Sequence, residues 1–367
     1  MKKRLAKNID WSILVCTILL VIIGLFAIYS ATESSNHEEF RKQLMWVGIS
    51  IPFFIAFIFI DYDFIAKISP ILYGISILSL ICVLFTDPIS GARSWFTFNS
   101  FSIQPSEFAK VFTIIFLALV ISRIKRKGVA ELNRPTRLLL IFAIFAIPLL
   151  LIIKQPDYGT AMAFIVAFVL MLFVSGIYKR YIFTAIVAVI VAIPLLYFFV
   201  LPEHAKTRIE VFLNPDLDPR GAGYNITQSK IAIGAGELLG MGYMKGNQTQ
   251  LGYLYPKSTD FIFSVIGEEM GFLFAAAIII LYVILIVRAI AVAKTAKDGL
   301  GSLIAIGIAG IFIFHMIENI GMTMGLLPIT GVPLPFVSYG GSSLLSNFIM
   351  IALLLNISGR RQRTLFL

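Results

Sequence analysis

Residues 11–31 read WSILVCTILLVIIGLFAIYSA and follow the basic residues Lys2, Lys3 and Arg4. The run contains no Asp, Glu, Lys or Arg, and about 20 apolar residues suffice for an α-helix to cross the hydrocarbon core of a bilayer. A secretory signal also places an apolar run after basic residues. This run is long for a signal and lacks a small-residue cleavage site at its end, so we interpret it as a retained first membrane span.

Similar apolar runs recur along the 367-residue chain, which is 59% hydrophobic and 14% charged, with a mean hydropathy of +0.92. Soluble domains are about half apolar and about a quarter charged, so this composition indicates a membrane protein. The sequence therefore predicts an all-α polytopic membrane protein with about ten transmembrane helices, in a single integral membrane domain covering residues 1–367. The predicted spans are 11–31, 44–60, 68–85, 105–121, 138–153, 158–175, 181–200, 260–292, 303–326 and 342–357.

Basic residues are concentrated in alternate loops of this arrangement, and the positive-inside rule then places both termini in the cytoplasm. The net charge of +10 follows from this sorting, so it does not indicate a nucleic-acid partner. The long segment 201–259, between the seventh and eighth spans, lies outside, together with the loops near Gly91, Asp157 and Pro333. The basic residues assigned to the inner side are Lys2, Lys3, Arg4, Lys7, Arg123, Lys125, Arg126, Lys127, Arg134, Arg137, Lys179, Arg180, Lys294, Lys297, Arg360, Arg361 and Arg363.

The outer segment 201–259 has the features of a structured loop. It contains a charged stretch at 203–208 and the sequence GYNITQSKIAIG at 223–234, whose apolar positions predict a short interfacial helix. Long structured loops in compact proteins are often binding surfaces or lids. No internal repeat is visible in the sequence, which disfavours a transporter built from inverted repeats.

Two polar clusters lie at the predicted outer ends of spans. In QPSEFAK, residues 104–110, Glu107 and Lys110 are three residues apart and share a helix face, either as a simple ion pair or as a charge pair that shapes a polar cavity. In KQPDYGT, residues 154–160, Asp157 either caps the next helix or forms, with Gln155, a polar group at the mouth of the helix bundle.

A third cluster, YPKSTDFIF at 255–263, enters a long apolar helix. Ser258 and Thr259 can cap that helix, so Asp260 is better explained by a functional role than by capping. The small residues Ser264, Gly267 and Gly271 follow on nearly the same face and would let another helix, or a ligand, approach closely. Deeper in this helix, Glu268 and Glu269 need polar partners or water if they are buried.

The fourth cluster is the Pro- and Gly-rich stretch 326–343, which contains Ser338. It cannot continue a helix and is too apolar for an ordinary solvated loop, so we expect it to fold back into the outer leaflet against other protein. His315, Glu318 and Asn319 interrupt the span before it. Together the four clusters predict an external polar cavity between helices. Motifs for phosphate-binding loops, dinucleotide folds, zinc proteases and nucleophile elbows are all absent from the sequence.

These segments, in this order, resemble the SEDS family (shape, elongation, division and sporulation), and within it the RodA branch. The RodA-like features are GYNITQSK at 223–230 and GNQTQ at 246–250; the FtsW and SpoVE branches, which serve division and sporulation, are the alternatives within the family. The motifs that carry the resemblance are GARSW at 91–95, QPSEFAK at 104–110, PDYGT at 156–160, GYNITQSKIAIG at 223–234, TDFIF at 259–263 and GVPLPFVSYGGSS at 331–343.

The resemblance implies a peptidoglycan glycosyltransferase of the bacterial cytoplasmic membrane, with its active site facing outward. Such an enzyme polymerises lipid II into β-1,4 glycan strands with inversion and releases undecaprenyl pyrophosphate, for cell elongation and shape. It also implies a class B penicillin-binding protein as partner, besides lipid II, the nascent glycan and membrane lipids.

Asp260 matches the essential acid of the family, either as general base or as ligand to a divalent cation, Mg²⁺ or Mn²⁺. Lys257, Lys110 and Arg93 are candidate ligands of the substrate diphosphate. The other candidate substrate-binding residues are Glu107, Asp157, Gln155 and Ser338. Many relatives carry a Glu and a His where this chain has Pro256 and Ser258, so a mechanism that needs those two side chains does not transfer.

Two other functions also fit a polytopic membrane protein. The first is a flippase for a lipid-linked precursor, which fits intramembrane charges such as Glu268, Glu269 and Glu318. Polar residues at the outer mouth, rather than midway across the membrane, argue against it. The second is a non-enzymatic scaffold for cell-wall synthases, which leaves the buried acids unexplained.

Overall fold

Long apolar helices form the body of this protein. The structure is a computed structural model that describes residues 8–361, apart from residues 90, 99, 100, 182, 185, 186, 188–202 and 220. The described helices are α1 (Trp11–Ala31), α2 (Glu38–Phe59), α3 (Tyr62–Cys82), α4 (Pro105–Lys125), α5 (Val129–Leu132), α6 (Pro135–Lys154), α7 (Tyr158–Ser175), α8 (Glu203–Leu213), α9 (Ala222–Ala235), α10 (Asn247–Gln250), α11 (Ile262–Thr295), α12 (Gly299–Thr323) and α13 (Gly341–Gly359).

Eight of the described helices are long and apolar enough to cross a membrane: α1, α2, α3, α6, α7, α11, α12 and α13. The predicted class, an all-α polytopic membrane protein, is confirmed. The ninth helix of comparable length, α4, has 21 residues but carries the charged pair Glu107 and Lys110 within its first two turns. The predicted span 181–200 lies largely outside the described residues, so the total of ten spans stays a prediction, as does the direction in which the chain crosses the membrane.

Most helices extend past the predicted apolar limits. α2 begins at Glu38 rather than at residue 44, with two acids in its first turn, and α3 begins at Tyr62 rather than at residue 68, where the Asp61 side chain caps it. Acidic first turns and caps favour a helix start outside the hydrocarbon, which a count of apolar residues does not register. α11 begins at Ile262 rather than at Asp260, so Asp260 lies in the turn before the helix.

The most enclosed helices are α12 and α13. α13 packs against α2, while α12 packs against α4, α7 and α11. In contrast, the outward faces of α2 and α3 expose large apolar residues such as Phe53, Ile71 and Leu78. Apolar side chains are stable against lipid, so these faces suit the bilayer, and the interior around α12 is free to hold polar groups.

α11 is interrupted at Gly271, whose φ of 75° lies in the left-handed region. The Phe272 amide there donates to the Glu237 carbonyl at 2.9 Å, and the Glu268 carbonyl accepts from the Met241 amide at 2.9 Å. The loop after α9 therefore supplies the backbone hydrogen bonds that the break removes from the helix. A Cβ on Gly271 would overlap the loop backbone at Gly240, which confirms that the small residues of α11 allow a close approach.

The segment between residues 203 and 261 is structured, as predicted. The short helix expected at 223–234 is present as α9, which packs along α11, while its position at the membrane interface stays a prediction. A short antiparallel hairpin that was not predicted precedes α4: β1 (Phe96–Phe98) pairs with β2 (Phe101–Ile103), with Phe96 opposite Ile103. Strands of three residues are too short to show a period-2 pattern.

Candidate functional site

A buried charged pair lies in the first two turns of α4. Lys110 Nζ is 2.9 Å from Glu107 Oε1, and both side chains are almost completely buried. The other Glu107 oxygen accepts from the Ser346 hydroxyl of α13 at 2.8 Å. The predicted i,i+3 pair is therefore confirmed, and a second helix, α13, completes it. Removing one member of such a buried pair typically costs about 3–5 kcal/mol, because the other charge loses its partner.

His315 of α12 extends this pair. Its Nδ1 lies 2.9 Å from the Pro333 carbonyl, and its Nε2 lies 3.2 Å from Lys110 Nζ. A carbonyl can only accept, so Nδ1 carries the proton and Nε2 accepts from the Lys110 ammonium. The imidazole is thus neutral, and it links the charged pair of α4 to the Pro- and Gly-rich stretch.

Asp157 precedes α7 and caps it, because its Oδ1 accepts from the Thr160 amide at 3.1 Å. Its other oxygen accepts from Gln104 Nε2 at 2.9 Å and from the Ser106 hydroxyl at 3.3 Å. Burial raises the pKa of Asp157, and the negative charge of Glu107 raises it further. The capping and cavity interpretations of Asp157 are compatible, since the carboxylate caps a helix and also contacts the start of α4.

Asp260 lies in the turn that leads into α11, and three consecutive carbonyl groups fix this turn. Because each carbonyl is held by a different hydrogen-bond donor, the position of the Asp260 Cα is rigidly set. The donors to residues 258, 259 and 260 are the Tyr339 amide at 2.9 Å, the Ser338 hydroxyl at 2.6 Å and Asn319 Nδ2 at 3.0 Å.

The Asp260 carboxylate faces Gly331, since a Cβ on that glycine would lie 3.5 Å from Oδ2. Gly331 has a φ of 73°, so this position combines a left-handed turn with space beside the carboxylate. Burial raises the pKa of Asp260, and the positive charge of Arg208 partly opposes that shift. A half-buried carboxylate of raised pKa, beside a backbone position that carries no side chain, is a better proton acceptor than an exposed carboxylate.

The stretch 326–343 packs into the protein, as predicted: Val332, Leu334, Phe336 and Val337 are buried. Ser338 lies within it, and its hydroxyl donates to the Thr259 carbonyl and accepts from the Leu334 amide. The observed contacts of Ser338 are with protein, so they support the Asp260 turn, and its role in substrate binding stays a prediction.

Lys257 is half-buried, and its ammonium donates to the Thr249 carbonyl at 2.9 Å. Burial lowers the pKa of Lys257. Arg93 is exposed, and its guanidinium reaches the Leu84 carbonyl at 3.3 Å rather than the buried pair of α4. Gln155 is fully buried and donates to the Leu80 carbonyl at 3.1 Å. The binding roles of these three residues also stay predictions.

Sequence reasoning assigned no role to three residues that the structure places at the site. Arg208 of α8 lies close enough to influence the Asp260 charge, and it donates to the Ile329 carbonyl at 3.4 Å. His315 and Asn319 connect α12 to the Pro- and Gly-rich stretch and to the Asp260 turn. The sequence did indicate His315 and Asn319, since both are polar residues within an otherwise apolar span. Arg208 carried no comparable signal within its charged stretch.

The clusters meet at one end of the bundle, the loop end, which carries residues 203–260. Gln104 of the first cluster contacts two of the others. Its side chain donates to Asp157 and its backbone amide donates to the Ser342 hydroxyl. Within the described residues, no group of three His, Cys, Asp or Glu side chains can hold a metal ion. Mg²⁺ is commonly bound by one or two carboxylates together with water and substrate phosphates. The single Asp260 carboxylate fits such an ion only when the substrate's phosphate oxygens complete the ligand set.

The fold and the site define a multi-span helical membrane protein with a fixed carboxylate at one end of its bundle. The sequence model of the FTSW_RODA_SPOVE family, described as "Cell cycle protein", matches residues 10–363. The chain belongs to this family, and the resemblance found from the motifs is confirmed.

Two relatives illustrate the match. "Peptidoglycan glycosyltransferase MrdB" of Escherichia coli (strain K12) is 35% identical over 345 residues, covering 92% of this chain and 90% of the relative. "Peptidoglycan glycosyltransferase RodA" of Treponema pallidum (strain Nichols) is 31% identical over 446 residues, covering 98% of this chain and all of the relative. The chain is accordingly a bacterial membrane protein, with relatives named for RodA and MrdB.

A solved structure shares the architecture. It is described as "Structural coordination of polymerization and crosslinking by a peptidoglycan synthase complex". The two structures align with a TM-score of 0.82 at 26% identity, covering 95% of this chain and 97% of that chain.

Proposed function

We propose that this protein is a peptidoglycan glycosyltransferase that joins lipid II units into β-1,4 glycan for cell elongation. The enzyme class is the one for which its relatives are named. The observation that carries the assignment of the site is the Asp260 carboxylate, which is half-buried, raised in pKa and fixed through the backbone of its turn. A general base needs a fixed position, and a raised pKa makes the carboxylate a stronger proton acceptor.

In the proposed reaction, the 4-hydroxyl of one lipid-linked disaccharide attacks the anomeric carbon of the glycan chain on a second lipid. Asp260 accepts the proton of that hydroxyl as the new carbon–oxygen bond forms. The bond between the anomeric carbon and the diphosphate oxygen breaks, and undecaprenyl pyrophosphate leaves with its electron pair. Attack from the face opposite the leaving group inverts the anomeric carbon.

Negative charge grows on the diphosphate as it leaves, so cations near Asp260 lower the barrier. Lys257 lies three residues before Asp260 in the same turn region, and Arg208 lies within electrostatic range of the Asp260 carboxylate. We assign both to the diphosphate. Lys110 is already paired with Glu107 and His315, so it shapes the charge of the cavity. In the alternative role of Asp260, a divalent cation held by its carboxylate and by the substrate phosphates would supply charge neutralisation in place of the base.

The loop end faces the outside of the cytoplasmic membrane in this proposal, where the disaccharides of lipid II are displayed. The sorting of basic residues supports that orientation. A class B penicillin-binding protein is the proposed partner, because it would cross-link the strands made here. The fold likeness to a peptidoglycan synthase complex supports this pairing. Members of the family also serve division and sporulation, and we assign this chain to elongation from its RodA-like motifs.

The test is polymerisation of purified lipid II by detergent-solubilised protein, with and without its cognate penicillin-binding protein. Wild type should make long glycan. Asp260→Ala should make none while keeping its Tm and its partner binding. Glu131→Gln is a matched control, because Glu131 pairs with Arg134 and Arg137 away from the site and should leave polymerisation unchanged.

Normal polymer from Asp260→Ala would contradict the catalytic assignment. No polymer from folded, partner-bound wild type would contradict the enzyme itself. In that case, movement of lipid II across liposomes by the purified protein would favour the flippase.

A further inference from the structure

Two neighbouring carboxylates of α11, Glu268 and Glu269, are buried at the loop end and play no part in the proposed reaction. Their observed partners differ. Glu268 accepts from the Gln248 amide at 2.6 Å, the Thr249 amide at 3.0 Å and the Thr249 hydroxyl at 2.6 Å. Glu269 accepts from the Ser30 hydroxyl and from Gln250 Nε2. Only Glu268 therefore holds the backbone of the short helix α10.

The hydrogen bonds that Glu268 accepts from Thr249 are strong, and they fix the position of Thr249. Three donors converge on one carboxylate, and charge-assisted bonds of this length are about twice as strong as neutral ones. Thr249 is itself fully buried. The residue before α10 is Gly246, where a Cβ would overlap the Glu268 carboxylate. The chain therefore comes this close to Glu268 only because a glycine occupies position 246.

Thr249 connects this carboxylate to Lys257. The Thr249 carbonyl accepts from Lys257 Nζ at 2.9 Å, whereas the other described contact of the ammonium, with the Ser34 hydroxyl, is longer at 3.4 Å. A lysine side chain has several rotatable bonds, so its direction depends on where its best acceptor stands. That acceptor belongs to the one residue that Glu268 holds through both its backbone amide and its side-chain hydroxyl.

We propose that Glu268 is a positioning residue, which sets the direction of the Lys257 ammonium toward the substrate diphosphate by fixing Thr249. The proposal rests on the proposed function, since Lys257 binds the diphosphate there. Glu268 does not touch the substrate. It holds the Lys257 ammonium in one direction before the substrate binds. This lowers the entropy cost of fixing that side chain on binding.

The first test uses Glu268→Gln in a double-mutant cycle with Lys257→Met. Gln keeps the size of Glu, but its amide group must face one of the two backbone N–H donors, so that hydrogen bond is lost. Its neutral oxygen also weakens the bonds that remain, including those from Thr249, because they are no longer charge-assisted. Glu268→Gln should raise the KM for lipid II about tenfold and leave kcat nearly unchanged, because a lost hydrogen bond to a charged group weakens binding by about that factor. Lys257→Met should raise the KM at least as much and should also lower kcat, because it removes the ammonium that stabilises the charge growing on the leaving diphosphate. The double variant should be no worse than Lys257→Met alone.

Additive effects of the two substitutions would mean that Glu268 acts through the general stability of the fold, and would overturn the proposal. So would an unchanged KM in Glu268→Gln. Gly246→Ala disturbs the same contact from the loop side and should reproduce the KM effect if Glu268→Gln folds poorly. Glu131→Gln, the same chemical change at a remote surface pair, should leave the KM unchanged.

The second measurement does not depend on polymerisation. Lys257 in the full-length protein is labelled with an amine reagent, and the rate is read by mass spectrometry against the exposed Lys127 as internal standard. Glu268→Gln should speed the labelling of Lys257 alone, because the ammonium is released from Thr249. An unchanged labelling rate would overturn the proposal even if wild type polymerises lipid II. If Glu268→Gln speeds the labelling of Lys257 but wild type makes no polymer, the coupling between Glu268 and Lys257 stands and the proposed function is wrong.

Discussion

Asp260 and Lys257, to which we assign proton transfer and diphosphate binding, have pKa values that the same cause shifts in opposite directions. Burial disfavours the charged form of each side chain, so it raises the pKa of the Asp260 carboxyl and lowers the pKa of the Lys257 ammonium. Both shifts move toward neutral pH. Because the base and the cation both titrate closer to neutral pH, the site should be active over a narrower pH range than the isolated side chains would allow.

The pH profile of kcat/KM should therefore be bell-shaped. Asp260 works deprotonated, so activity should be lost as the pH falls through a pKa above the ordinary value of 3.8. Lys257 works protonated, so activity should be lost as the pH rises through a pKa below the ordinary value of 10.5. Lys257→Arg should shift only the alkaline limb upward, since a guanidinium does not deprotonate in this range. An acid limb that stays flat down to about pH 4 would contradict the role of Asp260 as base.

At the scale of the elements, the helix α11 contributes both to the site and to the membrane-spanning body. Its 34 residues exceed the roughly 20 needed to span a bilayer, and the break at Gly271 divides it into two parts. The part before the break holds Glu268 and Glu269 and follows the Asp260 turn. The part after it is apolar, and it presents exposed residues such as Phe272 and Phe274 that suit lipid. The break thus separates a site-bearing segment from a membrane-spanning one.

Gly271→Ala tests the need for this break. An alanine must adopt a φ of 75° and its Cβ would overlap Gly240, so the substitution should destabilise the protein by at least about 2 kcal/mol and lower its Tm. Gly74→Ala is the matched control in α3, where a Cβ meets no atom within 4 Å. It should be neutral or stabilise by about 0.5–1 kcal/mol, because alanine favours a helix interior. Equal Tm values for the two variants, measured by thermal denaturation in detergent, would contradict the assigned role of Gly271.

At the scale of the whole molecule, an apolar outer surface encloses a mainly apolar interior that also holds a few charged groups. The outer faces of α2, α3 and α6 expose large apolar side chains, while the centre holds Glu107, Lys110 and His315. The exposed apolar side chains are stable against lipid. The three central polar side chains form hydrogen bonds with one another and with backbone carbonyls. The loop end gathers every predicted cluster on one side, so the direction in which the chain crosses the membrane determines where the chemistry takes place.

Cysteine accessibility in a variant lacking the native exposed Cys82 tests that direction. Leu251→Cys places a thiol at an exposed position of the loop end, and Lys297→Cys places one in the loop between α11 and α12. A membrane-impermeant maleimide should label Leu251→Cys in intact spheroplasts and Lys297→Cys only after permeabilisation, because the basic residues keep the latter loop inside. The reverse pattern would overturn the proposed outward site.

The sequence by itself determined the class, the family and several local contacts. Apolar runs predict spans because backbone groups in lipid must be satisfied within a helix, and the spacing of Glu107 and Lys110 predicts their ion pair because residues three apart share a helix face. The cap, one of the two interpretations offered for Asp157, is likewise a local contact. Each of these inferences depends on neighbours within one turn or one span.

Only the tertiary structure decided what each predicted group contacts across the bundle. His315 reaches Lys110 from 205 positions away, and Ser30 reaches Glu269 from 239 positions away. The carbonyls around Asp260 are fixed by Asn319, Ser338 and Tyr339, and Thr249 links Glu268 to Lys257. Periodicity describes a segment's own faces but carries no information about which distant face packs against it. Pairings between distant segments depend on the packing of the whole bundle, and local sequence does not encode that packing.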